Sequence, residues 1–265
     1  MMSIFKRLFW RKRGLGYRPN PSDKRDLKYL VMRHGLPESV SLEKWCAVVD
    51  QKSTSSCVGN AVAGAVYIQE QKSGQLYGYP SRLFAYWIAR NQHDKPPLKD
   101  NGTYIRSAFK ALRLHGVCDE VDWPFKASRV NDQPRGYGPY AHADPRSDGE
   151  YMAISGGGST RVDRIKSALS DGYPVVFGTD LAKSFMSASG PAVIDRPKSS
   201  DKIVGGHAMV IIGYRTVDGE TQFRVLNSWG KRWRDGGLCW FKERYITWGK
   251  TGDFTIVRGW KRLKS

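Results

Sequence analysis

Within Gln51-Lys52-Ser53-Thr54-Ser55-Ser56-Cys57-Val58-Gly59-Asn60-Ala61-Val62-Ala63-Gly64-Ala65-Val66, a polar, serine-rich loop gives way to a helical pattern at a cysteine. Val58, Ala61, Val62, Ala65 and Val66 recur at spacings of three and four, and the run ends by Gly74. Cys57 therefore falls at the start of a helix, where free N–H groups and aligned peptide dipoles stabilise a thiolate. A lone cysteine on an amphipathic helix is ordinarily a buried structural residue. Cys57 stands out because of its company. Gln51, six residues earlier, can aim its amide N–H at the place where an oxyanion would form beside the sulfur, together with the Cys57 N–H.

Outward from this segment the first half reads as mainly helical. A second helix is expected over 80–90, opened by Pro80, and a third over 105–114, stopped by Gly116. Residues 123–158 are rich in Pro, Gly and Asp and mark the crossing between halves. Beyond them one helix, over about 162–169, precedes β-like segments at 174–179, 207–214, 222–226, 237–242 and 253–258. Helices first and strands later define an α+β class with a cleft where the layers meet.

Two further motifs lie in the β half. Gly205-Gly206-His207-Ala208 places a histidine at the mouth of the apolar strand that ends at Gly213-Tyr214. Its imidazole can serve as proton acceptor for Cys57. Twenty residues later, Asn227-Ser228-Trp229-Gly230 follows the next strand. Asn227 can accept the imidazole N–H and fix its tautomer, while Trp229 can shield that bond from water. Read singly, these are a turn histidine and a β-turn with an aromatic.

Gln51, Ser55-Ser56-Cys57, Gly206-His207-Ala208 and Asn227-Ser228-Trp229-Gly230 occur in the order and approximate spacing of the papain-like cysteine peptidases, with His207 150 residues after Cys57. The chain resembles that family over about residues 36–260. Asp100-Asn101-Gly102-Thr103 looks like its substrate-cleft segment, and residues 169–175 look like its helix-to-strand entry into the second domain. The resemblance implies a two-lobed fold, with a helical N-terminal lobe, an antiparallel β-barrel-like C-terminal lobe and the active-site cleft between them. The expected division is a basic arm or leader (1–35), a helical lobe with the nucleophile (36–140) and a β lobe with His and Asn (141–265). The resemblance also implies Cys57 as nucleophile, His207 as general base and acid, Asn227 as orienting residue and Gln51 as oxyanion donor. Gly102 and Trp229 become substrate-binding candidates, with no metal or organic cofactor required.

The departures from the family are specific. Thr54 and Asp100 stand where it usually carries a disulfide pair, and Val58 stands where an aromatic usually follows the nucleophile. Arg234 stands where a Gly is customary, which is expected to alter a turn. Residues 15–30 resemble the short leader of compact bacterial and phage members. This resemblance leaves open whether the leader crosses the cleft, packs behind it or binds another protein. With 56 residues ahead of Cys57, a large inhibitory pro-domain is not expected.

The chain has 265 residues, of which 40% are hydrophobic and 26% charged, enough for a sizeable core and incompatible with disorder or a low-complexity class. No window reaches the ~18 consecutive apolar residues of a membrane span, and residues 1–13 hold too short an apolar stretch for a secretory signal. Four scattered cysteines, Cys46, Cys57, Cys118 and Cys239, suggest neither a zinc site nor a disulfide framework, and fit a reducing compartment. Cytoplasmic or virion-associated localisation is the expectation.

The formal charge is +18, and the two ends carry two-thirds of it. They point to an acidic protein or nucleic-acid partner. Three readings follow. The leading one is hydrolysis of peptide bonds through a Cys-His-Asn acyl-enzyme. The second is a structural or docking component of a larger assembly such as a phage particle, held by basic arms. The third is the same chemistry with an amine as acceptor.

Overall fold

The computed structural model describes residues 13–74, 78–143, 149–187, 189–190 and 192–259. The acidic-partner expectation rests on the basic ends, residues 1–30 and 242–265, whose outermost parts, 1–12 and 260–265, lie outside the described residues.

The chain enters as an extended leader containing three short strands, β1 (Tyr17–Arg18), β2 (Lys28–Tyr29) and β3 (Ser39–Ser41). The helix opened by Cys57 follows as α1 (Cys57–Lys72). Its Gly, Ala and Val side chains are small, so neighbours close in on all sides, and it is buried over most of its circumference. Next comes α2 (Arg82–Asn91), which starts two residues after Pro80 because the Ser81 hydroxyl accepts the Phe84 N–H and caps it. The two-residue strand β4 (Thr103–Tyr104) leads into α3 (Ile105–His115), which ends at Gly116 with φ +66° as expected from a glycine stop. A short α4 (Tyr137–Ala141) interrupts the Pro- and Gly-rich crossing.

The second half contains β5 (Glu150–Ile154), α5 (Gly158–Ser170), β6 (Val175–Ala182), β7 (Val193–Ile194), β8 (Ile203–Val217), β9 (Glu220–Leu226), β10 (Leu238–Lys242), α6 (Glu243–Ile246) and β11 (Thr251–Arg258). The sheet runs β2-β5-β11-β6-β8-β9-β10-β7, and β3 pairs with β8 beyond the reach of β6. It is an open sheet, so the barrel expected for this lobe does not close. Its terminal strands are only two residues long, and each is spent on a parallel pairing with its inner neighbour, β2 with β5 and β7 with β10. Barrel closure requires the end strands to meet and pair.

Helix α1 lies between the helical layer, where it touches α2 and α3, and the sheet, where it touches β6, β8 and β11. The face of the sheet away from α1 is packed by aromatics. Phe177 in β6 stacks on Phe254 at 5.7 Å and meets Phe241 edge-on at 6.0 Å. Since Phe177 pairs in register with Met209, two residues beyond His207, its packing also holds the histidine strand. Replacing Phe177 by Ala is expected to cost about 3–5 kcal/mol of folding free energy, read from urea unfolding midpoints.

Candidate active site

Cys57 is the first residue of α1 and is completely buried. The loop before it is built from its own polar groups. Thr54 Oγ1 donates to Gln51 O at 2.7 Å and lies 2.7 Å from Ser56 Oγ, while Asn60 Nδ2 donates to Ser56 O and Oγ, each at 2.9 Å. Main-chain bonds tie this loop to the sheet half. Gln51 N donates to Ser228 O at 2.8 Å and Gly230 N to Val49 O at 2.9 Å. The Gln51 carboxamide is oriented by Ser228, whose hydroxyl donates to Oε1 at 2.6 Å. This leaves Nε2 to donate to Thr54 O at 2.7 Å and outward toward the cleft.

His207 lies inside β8, opposite Thr179 of β6, and not at the strand's mouth. Pairing of Val210 with Leu226 brings the residues that follow β9 level with the histidine. His207 Nε2 is 2.8 Å from Asn227 Oδ1, and the Trp229 ring lies over the imidazole at a centroid distance of 4.7 Å. The Asn227 acceptor fixes the N–H on Nε2, leaving Nδ1 without a hydrogen bond among the described residues and able to receive a proton. Cys57 is close by, since its sulfur faces the main chain of Ala208, the residue after His207. Trp229 is itself buried against Phe185 and Trp233, as a cover over the His207–Asn227 pair and not as an open substrate wall.

At the positions where the family usually carries a disulfide pair, Asp100 instead links to Ser55, the neighbour of Thr54. Both Asp100 carboxylate oxygens accept the Ser55 N–H at 3.0 Å, two residues before the nucleophile. Tyr86 OH donates to Asp100 Oδ1 at 2.9 Å and accepts the Gly102 N–H at 2.9 Å. Asp100 and Tyr86 thus fasten the nucleophile loop to the cleft segment without sulfur. Arg234, in place of the customary glycine, adopts φ +44°, so the turn keeps a left-handed conformation with an arginine in it.

The leader crosses the cleft. Gly14 and Gly16 pass so near the nucleophile loop that a Cβ on either would lie within 2 Å of a carbonyl oxygen, 1.9 Å from Thr54 O and 1.8 Å from Ser55 O. Gln51 Nε2 donates to Gly14 O at 3.1 Å, and Thr103 N donates to Gly16 O at 2.8 Å as β1 runs parallel to β4. The main-chain donor to the bound segment is therefore Thr103, the neighbour of the expected Gly102. Arg13 straddles the two halves, donating to Asp50 Oδ1 at 2.7 Å and Trp229 O at 2.9 Å. Downstream, Arg106 bonds Asp26, and Tyr29 and Arg33 bond Asp171. None of these anchors carries a motif. Gly14-Leu15-Gly16 was the one available sign of close main-chain contact.

Covered in this way, Cys57 and His207 are both held neutral. Burial pushes the Cys57 thiol up to about 11, against the smaller opposing effect of main-chain hydrogen bonds from Ala208, Gly16 and Val58. Burial likewise pushes His207 down to about 4, only partly offset by Asn227. The other cysteines, Cys46, Cys118 and Cys239, are not joined in disulfides, and burial raises Cys46 and Cys239. No group of His, Cys, Asp and Glu suited to a metal ion occurs among the described residues.

Residues 36–251 match the model of the papain family cysteine proteases. The chain belongs to that family. A peptidase C1-like protein of Acanthamoeba polyphaga mimivirus is 31% identical over 231 residues, covering 84% of this chain and 73% of the relative. Rat cathepsin S is 28% identical, covering 76% of this chain and 59% of its own length. Among solved structures, xylellain, a cysteine protease from Xylella fastidiosa, superposes with a TM-score of 0.85 at 30% identity, covering 96% and 98% of the two chains. Procathepsin L 3 of Tenebrio molitor shares the fold, with a TM-score of 0.70 at 19% identity over 99% of this chain and 80% of that one.

Two outcomes follow from this geometry. Asp100→Ala strands the Ser55 N–H and the Tyr86 hydroxyl together and should cost about 2–3 kcal/mol, measured by chemical denaturation. The covered pair also sets a pH window. Between His207's ordinary 6.5 and its folded value of about 4 the unfolded chain binds the extra proton, so stability falls as pH drops through that range. Between Cys57's ordinary 9.0 and about 11 the folded chain keeps a proton the unfolded chain has lost, so stability falls as pH rises. Denaturation midpoints should therefore plateau between about pH 6.5 and 9, and His207→Gln should flatten the acid-side slope.

Proposed function

We propose that this cysteine peptidase works through a Cys57-His207-Asn227 acyl-enzyme and is described here in a latent state, with its own leader in the cleft. The observation that carries this reading is the Gln51 carboxamide holding a peptide carbonyl, Gly14 O, at 3.1 Å beside the start of the nucleophile helix. A donor set that grips a ground-state carbonyl there is suited to stabilise the oxyanion of a tetrahedral intermediate at the same place.

In the open cleft, water returns to the pair and relieves the burial that keeps both groups neutral. His207 Nδ1 takes the Cys57 proton, and the thiolate attacks the substrate carbonyl carbon. Gln51 Nε2 and the Cys57 N–H hold the oxyanion. The imidazolium, oriented by Asn227, protonates the departing amine, and water then releases the acyl group with His207 as base. In the covered state the Gly16 N–H of the leader donates to the Cys57 sulfur. A peptide substrate lies where the leader lies, along Gly102–Thr103.

The docking reading rests on the basic ends and gains nothing from the described residues. We place the enzyme in a reducing compartment, cytoplasmic or virion-associated, on the strength of its free thiols. An irreversible thiol-directed peptidyl probe should label the full chain at Cys57, slowly while the leader is seated. Cys57→Ala should abolish labelling while leaving circular dichroism unchanged, and Gln51→Ala should lower peptide turnover about 100-fold. Equal labelling of Cys57→Ala would remove the nucleophile assignment.

A further inference from the structure

Of the ten exposed large hydrophobic side chains among the described residues, four fall within six positions of the leader: Leu27 (49% exposed), Leu30 (56%), Val31 (44%) and Met32 (48%). They flank β2, the outermost strand on one side of the sheet, whose only strand partner among the described residues is β5. In this stretch Tyr29 alone is buried, with its hydroxyl donating to Asp171 Oδ2 at 2.9 Å. The main chain on either side is fixed, since Ala153 N donates to Leu27 O at 2.8 Å and Arg33 N to Ser167 Oγ at 3.0 Å. One inward ring and the main chain thus hold the leader to the body, and its other apolar side chains are presented outward. Exposed apolar residues scattered singly need no explanation, but a contiguous set marks a contact surface.

The charge around this set is basic. Its acidic neighbours are already engaged, Asp23 by Arg25, Asp26 by Arg106 and Asp171 by Arg33. Lys24 and Lys28 are exposed and form no ion pair among the described residues. A second copy of the chain would set the same lysines against these, which argues against self-association here. A partner strand is also ill suited, because Leu30, Val31 and Met32 are consecutive, whereas a strand sends neighbouring side chains to opposite faces. A lipid surface needs no register. Its acyl layer admits consecutive apolar side chains, and anionic headgroups attract the lysines. The same chemistry recurs in residues 1–12, which hold Phe5, Phe9 and Trp10 with four basic residues and no acidic one. Aromatic and basic residues together are the composition of segments that settle among headgroups.

We propose that residues 24–33 form a docking surface for an anionic lipid bilayer, with Leu27, Leu30, Val31 and Met32 entering its outer apolar layer and Lys24 and Lys28 meeting its charge. This gives the leader a second task beside covering the cleft, and it does not rest on the peptidase reading.

The test uses the full chain and floatation with vesicles of phosphatidylcholine, either alone or with one-third phosphatidylglycerol. The anionic vesicles should bind at least about tenfold more tightly than the neutral ones, and added salt should narrow the difference. Leu30→Ser/Val31→Ser/Met32→Ser keeps every charge and should weaken binding to the anionic vesicles about tenfold or more. Lys24→Glu/Lys28→Glu keeps every apolar group and should weaken it by a similar factor. Both sets of positions are exposed, and an unchanged urea midpoint checks that each variant is folded. Binding by either folded variant equal to that of the unaltered chain overturns the proposal, and would leave residues 1–12 as the lipid contact. Equal binding to neutral and anionic vesicles, or binding to an acidic peptide or RNA with none to vesicles, overturns it as well. The measurement needs no turnover, so an inactive chain leaves it intact.

Discussion

Two main-chain hydrogen bonds, Gln51 N to Ser228 O and Gly230 N to Val49 O, join the loop before the nucleophile to the turn after the asparagine. Cys57 and Gln51 come from the helical layer, and His207 and Asn227 from the sheet. This seam fixes the carboxamide of one layer against the turn that carries Asn227, beside the contact of the Cys57 sulfur with the Ala208 main chain. The seam is main chain to main chain, so it tolerates many side chains. Its one side-chain component, the Ser228 hydroxyl on Gln51 Oε1, settles which end of the carboxamide faces the cleft. Arg13 of the leader bonds Asp50 and Trp229 O, one residue from each end of the Gln51–Ser228 bond. The leader therefore reinforces the junction that the catalytic groups depend on.

The leader that covers the cleft also leaves Cys57 and His207 buried. A thiolate and an imidazolium attract each other, but each pays to leave water, and in a dry cleft that cost falls on both partners. Burial raises Cys57 and lowers His207, so the stable buried form is thiol beside neutral imidazole. The latency we propose has two layers: the leader blocks the groove sterically, and it withholds the water that a charged Cys57–His207 pair needs. The leader needs no reactive or tightly binding side chain at the sulfur for either effect.

Much of the site was legible because its chemistry confines the residue types. A helix-initiating cysteine, a glutamine on the preceding loop, a histidine on an apolar strand and an asparagine before a tryptophan turn are few enough to read together. The course of the helices followed from spacing, and α3 stopped at Gly116 as a glycine should stop it. What could not be read was set by long-range geometry. Asp100 is an ordinary acidic loop residue until Ser55 and Tyr86 are seen to point at it. Thr103 donates where Gly102 was expected, because the Gly102 N–H is already spent on Tyr86 OH. The open sheet was illegible for a related reason, since strands of two residues leave no periodicity to count.

The exchange of a disulfide for the Asp100–Tyr86 link has a physical logic of its own. A disulfide holds two segments whether or not the groups around them are satisfied, whereas Asp100 holds Ser55 only while its carboxyl oxygens accept the Ser55 N–H. In a reducing compartment the covalent bond would not persist, but a carboxylate gripping a main-chain donor needs no oxidant and costs little if no water competes. Tyr86 carries the restraint onward to Gly102, at the point where the leader's main chain meets the cleft segment. The nucleophile loop and the peptide-binding edge are therefore coupled through one carboxyl group and one phenol. A displacement of either segment is felt by the other within two hydrogen bonds.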